Sequence, residues 1–169
     1  RKDARRRQGI HRQGWRCVEF LVQRLTGNRL FYEVFWGPSE MAEIPSAVTG
    51  HHWLVDLSGC TPVSAVMEDA HTLERLLPDA ARSAGMRVVG QTFHQFLPNG
   101  VTGAVILSES HLTVHTWPES KFVAIDVYVC NFNRENFEKG KRLTQELITL
   151  FAAAHCHCQL VARRSVDAG

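Results

Sequence analysis

Between Met86 and Val129, four strand-length runs follow one another with only turns between them, and no other feature confines the fold as much. The runs cover 86–97, 101–107, 112–116 and 122–129. Parallel neighbours would need a crossover of a dozen or more residues, so strands this close in sequence pair antiparallel. Pro98-Asn99-Gly100 supplies the turn between the first two runs, and Pro118 separates the last two.

A strand at 52–57 precedes this block and is ended by Gly59 and Pro62. A helix is expected from about Ser64, because Val66, Met67, Ala70, Leu73, Leu77, Ala80, Ala81 and Ala84 recur at spacings of three and four before Gly85. Pro78 lies inside it and is expected to kink or break it. A second helix is expected from Asn131 to about Ala154, with Phe137, Leu143, Leu147 and Phe151 on one side, and a strand at 156–162 follows. The pattern reads as α+β: a two-layer α/β sandwich, its mainly antiparallel sheet carrying helices on one face. The bare face needs a cover, and a homodimer is the expected one.

The domain is expected to occupy 48–169, behind a basic and poorly ordered extension over 1–47. That extension holds nine basic and five acidic residues, a net +4 in a chain whose total is +2, so the remainder is slightly acidic. An arginine-rich arm can contact phosphates, but a simple tail is the plainer reading, and the body makes no case for nucleic-acid binding. Five scattered cysteines do not form a secreted disulfide framework and read as reduced thiols of a cytoplasmic protein. Arg16, Glu19 and Arg24 interrupt the apolar stretch 15–25, so neither a signal peptide nor a membrane span is expected. The chain opens on Arg1 rather than Met, as expected of a fragment or an extended reading of the gene. His155-Cys156-His157-Cys158 has soft-metal ligand types, yet on a strand the histidines point one way and the cysteines the other, so no metal site is expected.

Residues 108–119 read Ser-Glu-Ser-His-Leu-Thr-Val-His-Thr-Trp-Pro-Glu. If Leu112 and Val114 enter the core, alternation gathers His111, Thr113 and His115 on the opposite face. By pattern alone that row is as much a solvated strand face as a site. The stretch resembles the SESHLTIHTWPE motif of the bacterial and archaeal class of pyruvoyl-dependent S-adenosylmethionine decarboxylases, with Val114 in place of Ile. Thr92 to Gly103 is similar to the family's TFHxFxPxGVSG stretch, and Ala124 to Cys130 to its AxDxFxC strand. The likeness runs in order and spacing from about 48 to 164.

The resemblance implies a proenzyme cut between Glu109 and Ser110 into a β chain ending at Glu109 and an α chain whose first residue becomes a pyruvoyl cofactor. Decarboxylation leaves electrons on Cα, and a carbonyl joined to the substrate amine as a Schiff base accepts them where no ordinary side chain can. In the family the serine hydroxyl attacks the preceding carbonyl, and the resulting ester breaks down by β-elimination. Carried over, His115 is the processing base that removes the Ser110 α-proton, and Thr102 stands where a serine usually assists. Cys130 is the proton donor to Cα. Phe96 and Trp117 match aromatics near the nucleoside, and Glu119 matches the acid that accepts from the ribose hydroxyls.

The implied function is decarboxylation of S-adenosylmethionine to supply aminopropyl groups for polyamine (spermidine) synthesis, by a homodimer of αβ units. Decarboxylation of ornithine or arginine on the same scaffold is the nearest alternative, because the processing residues and Cys130 would serve either. Phe96, Trp117 and Glu119 favour a nucleoside, whereas Ser120-Lys121-Phe122 departs from the family's Tyr-Gly-Tyr-like stretch. A non-catalytic metal-binding protein using His94, His111 and His115 is the remote alternative.

Overall fold

The structure, a computed structural model, describes residues 16–21, 48–62, 65–131 and 136–164. Its elements in chain order are β1 (Arg16–Leu21), β2 (Val48–Ser58), α1 (Ala70–Ser83), β3 (Val88–Gln95), β4 (Val101–Leu107), β5 (Ser110–Trp117), β6 (Phe122–Cys130), α2 (Phe137–Phe151) and β7 (His155–Arg164). The seven strands make one sheet in the order β1-β7-β2-β6-β5-β4-β3, antiparallel at every pairing. The expected α+β sandwich is therefore present, with β3 to β6 forming a continuous meander.

Alternation decides which face is inside. Val101, Val105 and Leu107 of β4, Leu112 and Val114 of β5, and Val123, Ile125, Val127 and Val129 of β6 are all buried. They meet Trp53, Val55 and Leu57 of β2 and the apolar sides of both helices in one core. Each such side chain removed from water contributes about 1.5–3 kcal/mol, which fixes the register because a one-residue slip would expose the whole set. Gly140 lets α2 approach: a Cβ there would lie 2.5 Å from the Trp53 ring and 3.0 Å from Val129.

Two expectations are revised. Helix α1 starts at Ala70 rather than near Ser64, because Asp69 caps it with a carboxylate that accepts the Thr72 amide at 2.8 Å. It runs through Pro78 without a break. Pro78 cannot donate to the carbonyl of Glu74, and the Gln91 side-chain amide of β3 donates to that carbonyl instead, at 3.0 Å. The leading segment also gives the sheet an edge, since Arg16–Leu21 pairs with β7 from Arg16 opposite Leu160 to Leu21 opposite His155. The rest of the expected extension lies outside the described residues.

Candidate active site

The turn between β4 and β5 carries Ser108 and the exposed Glu109 and leads directly into Ser110, the first residue of β5. The Glu109–Ser110 peptide therefore sits at an accessible strand start. Ser110 is half-buried, and its Oγ accepts the backbone N–H of Cys130 at 3.4 Å. Cys130 ends β6, and its own carbonyl accepts the Asn136 side-chain amide at 2.8 Å. Asn131 Oδ1 takes the Asn136 N–H at 3.0 Å, and Asn131 Nδ2 lies 2.9 Å from Nδ1 of the buried His51. These contacts tie the chain from Cys130 onward to β2 and to the start of α2. Nothing in the sequence pattern singles out His51, Asn131 or Asn136, because polar residues after a strand read simply as a loop.

Thr102 and His115 face one another across β4 and β5 and share a hydrogen bond of 2.8 Å between Oγ1 and Nδ1. The Trp117 ring lies 6.0 Å from His115 and 5.4 Å from Phe122, and Phe96 packs on His94 at 4.7 Å. Phe96 and Trp117 remain 47% and 40% exposed, so part of each ring faces solvent. Glu119 is exposed in the turn Pro118–Ser120 that follows β5. Lys121 then adopts a left-handed conformation, φ 51°, where the resembling pattern has glycine, and its carbonyl accepts the Cys60 amide at 3.0 Å.

Two groups thus form at opposite ends of β5. Ser110 and Cys130 stand at one end; Thr102, His115, Trp117, Glu119 and Phe96 stand at the other. Five residue steps along the strand lead from Ser110 to His115, a span of roughly 16 Å. At that separation His115 does not reach the Ser110 α-proton within one chain of this structure. The same spacing disposes of the three-histidine metal site. His94 and His115 both face Thr102 across β4, but His111 is four strand residues away, roughly 13 Å. In β7, Cys156 and Cys158 are buried while His155 is exposed and His157 half-buried, so the four do not converge.

His52, His111, Thr113, Asp126 and Tyr128 line the open face alongside the Ser110 end. Asp126 accepts the Thr113 hydroxyl at 2.9 Å and lies 3.7 Å from His52 Nε2. Burial lowers the His52 pKa, and Asp126 opposes that shift. Burial also pushes the Cys60 and Cys156 thiols up to about 11, so both are inert structural groups.

The family described as S-adenosylmethionine decarboxylase matches residues 51–164. The S-adenosylmethionine decarboxylase proenzyme of Pyrococcus horikoshii is 36% identical over 114 residues, spanning 68% of this chain and 78% of that protein. The proenzyme of Moorella thermoacetica is 34% identical over 118 residues, spanning 70% of this chain and 90% of its own. The crystal structure of the adenosylmethionine decarboxylase from Aquifex aeolicus superposes with a TM-score of 0.64 at 28% identity, over 73% of this chain and 98% of that one. A match of this length and identity, carried on a shared fold, establishes that the chain belongs to the S-adenosylmethionine decarboxylase family.

Proposed function

We infer that this chain is a self-cleaving precursor whose product decarboxylates S-adenosylmethionine. The observation that carries the reading is the Glu109–Ser110 junction: a hydroxyl one residue beyond an accessible carbonyl, at a strand start beside Cys130. Attack of Ser110 Oγ on the Glu109 carbonyl forms a C–O bond as the C–N bond breaks. Loss of the residue-110 α-proton then expels the Glu109 carboxylate, and hydrolysis of the dehydroalanine left behind releases ammonia. The residues present fit the pyruvoyl group this would create, since residue 110 is held against the end of β6 with the Cys130 amide toward it. Such a group supplies an electron sink for a carboxylate leaving the adjacent carbon.

The remaining chemistry falls to side chains. Cys130 is a partly exposed thiol at the residue-110 end, suited to give a proton to Cα once carbon dioxide has left. Phe96 and Trp117 offer flat faces for an adenine ring, and Glu119 offers a carboxylate to the ribose hydroxyls. A decarboxylase for ornithine or arginine would have no use for such a set.

The two groups at the ends of β5 call for a homodimer in which the open faces meet. A two-fold axis lets the His115 end of one copy meet the Ser110 end of the other, and the reverse, giving two equivalent composite sites. Ile106, Phe96 and Trp117, 45%, 47% and 40% exposed, supply apolar surface for that contact. Intact mass of the purified protein tests the processing, with two chains expected and the one that starts at residue 110 blocked at its N-terminus. Release of labelled carbon dioxide from S-adenosylmethionine, and not from ornithine or arginine, tests the substrate. A single uncut chain with no decarboxylation would end this reading.

A further inference from the structure

Tyr128 of β6 stands at the position where the AxDxFxC pattern carries phenylalanine, so it adds a hydroxyl to that pattern. It lies two residues before Cys130 on the same face of β6, the face opposite the core residues Val127 and Val129. Its ring is held on three sides. His111 stands 5.4 Å away, His52 stands 5.7 Å away, and the Arg163 guanidinium sits 5.5 Å over the ring centroid. The remaining direction is set by a glycine. Gly50 is the cross-strand partner of Cys130, and a Cβ built on it would fall 2.8 Å from both the Tyr128 phenol oxygen and the ring carbon Cε2. The phenol therefore occupies the hollow that a side chain at residue 50 would fill, next to the Cys130 side chain. Directly paired Cβ positions lie about 4.5–5.5 Å apart, which brings the hydroxyl within reach of the sulfur.

We propose that Tyr128 is a positioning residue for the proton donor, its phenol O–H aimed at the sulfur of Cys130. When Cys130 gives up its proton, the S–H bond breaks, the electron pair stays on sulfur, and a C–H bond forms at the substrate's Cα. The thiolate left behind receives a hydrogen bond from Tyr128, and a proton from solvent then restores the thiol. The phenol is suited to this because burial and the neighbouring Cys130 raise its pKa, against the lowering effect of Arg163, and keep it a donor at neutral pH. The inference rests on the reading of Cys130 as proton donor, and the two are separable by experiment.

Tyr128→Phe restores the residue of the resembling pattern and retains the ring packing. Its effect is read on the processed enzyme in two ways. Alkylation of Cys130 by iodoacetamide at pH 7, followed by peptide mass, is expected to slow roughly tenfold, the scale of one hydrogen bond to an ionised acceptor. Cys60 and Cys156, whose thiols sit near 11, serve as unreactive internal references. Turnover is expected to fall by a similar factor while KM and the extent of self-cleavage stay unchanged. Wild-type alkylation and wild-type kcat in Tyr128→Phe would overturn the inference while leaving the role of Cys130 intact. Full turnover in Cys130→Ala would instead remove that role, and the inference with it. If Tyr128→Phe fails to cleave, alkylation of the folded uncut chain still decides whether the phenol touches the sulfur.

Discussion

On the proposed reading, self-cleavage depends on a single hydroxyl, that of Ser110. Ser110→Ala removes the attacking hydroxyl and leaves the fold alone, since the residue is a half-buried strand start. The expected outcome is a single species at the full 19.1 kDa by intact mass. Cys130→Ala acts on a different step, so it should cleave normally yet lose turnover on the order of 100-fold or more, the usual worth of a positioned general acid. A radiolabelled carbon dioxide assay on the cleaved protein checks this, and undiminished release would exclude the thiol as donor. His52 contributes to stability in a pH-dependent way. Burial holds its folded pKa below its unfolded value, so the unfolded chain binds the proton first as pH falls. Its contribution is complete above about 6.5 and is lost below that pH as the unfolded histidine charges. Replacing it by glutamine is expected to flatten the decline in urea midpoint between about pH 7 and pH 5.

Elements differ in how openly the sequence declares them. Strands β4, β5 and β6 are legible because one face of each is buried, so Val101, Val105, Leu112, Val114, Val123, Ile125 and Val127 alternate with more exposed residues. The start of α1 is obscured because Val66 and Met67 are buried in a separate short turn and happen to continue the helical spacing. The continuity of that helix through Pro78 depends on Gln91, a residue of another element, and no local pattern carries that information. Edge strand β1 is hidden in a basic segment whose composition suggests a tail. Close packing supplies a test at this scale. Gly140→Ala inserts a methyl 2.5 Å from a Trp53 ring carbon, which forces α2 away from β2. A loss of about 1–3 kcal/mol is expected, read as a lower urea midpoint with unchanged slope.

At the scale of the whole molecule, the motif 108–119 conceals its own geometry. Ser110 and His115 look adjacent when written as a sequence, but an extended strand carries them roughly 16 Å apart, so the residue types were legible and their separation to opposite ends of β5 became plain only in the fold. If two copies complete one another, defects at opposite ends of β5 should compensate. Ser110→Ala cannot be cut, and on the proposed reading Ser110 of the His115→Ala chain is left uncut when every copy of His115 is missing. In a mixed dimer, however, the intact Ser110 of the His115→Ala chain meets the intact His115 of the Ser110→Ala chain. Each variant expressed alone is expected to remain whole. Co-expressed with distinguishable tags, the His115→Ala chain should be cleaved, at up to half its molecules if the two chains pair at random, while the Ser110→Ala chain stays uncut. Absence of any cleavage in the co-expressed pair would mean that His115 acts on its own chain, which the length of β5 forbids without a rearrangement of the sheet, or that it takes no part in processing.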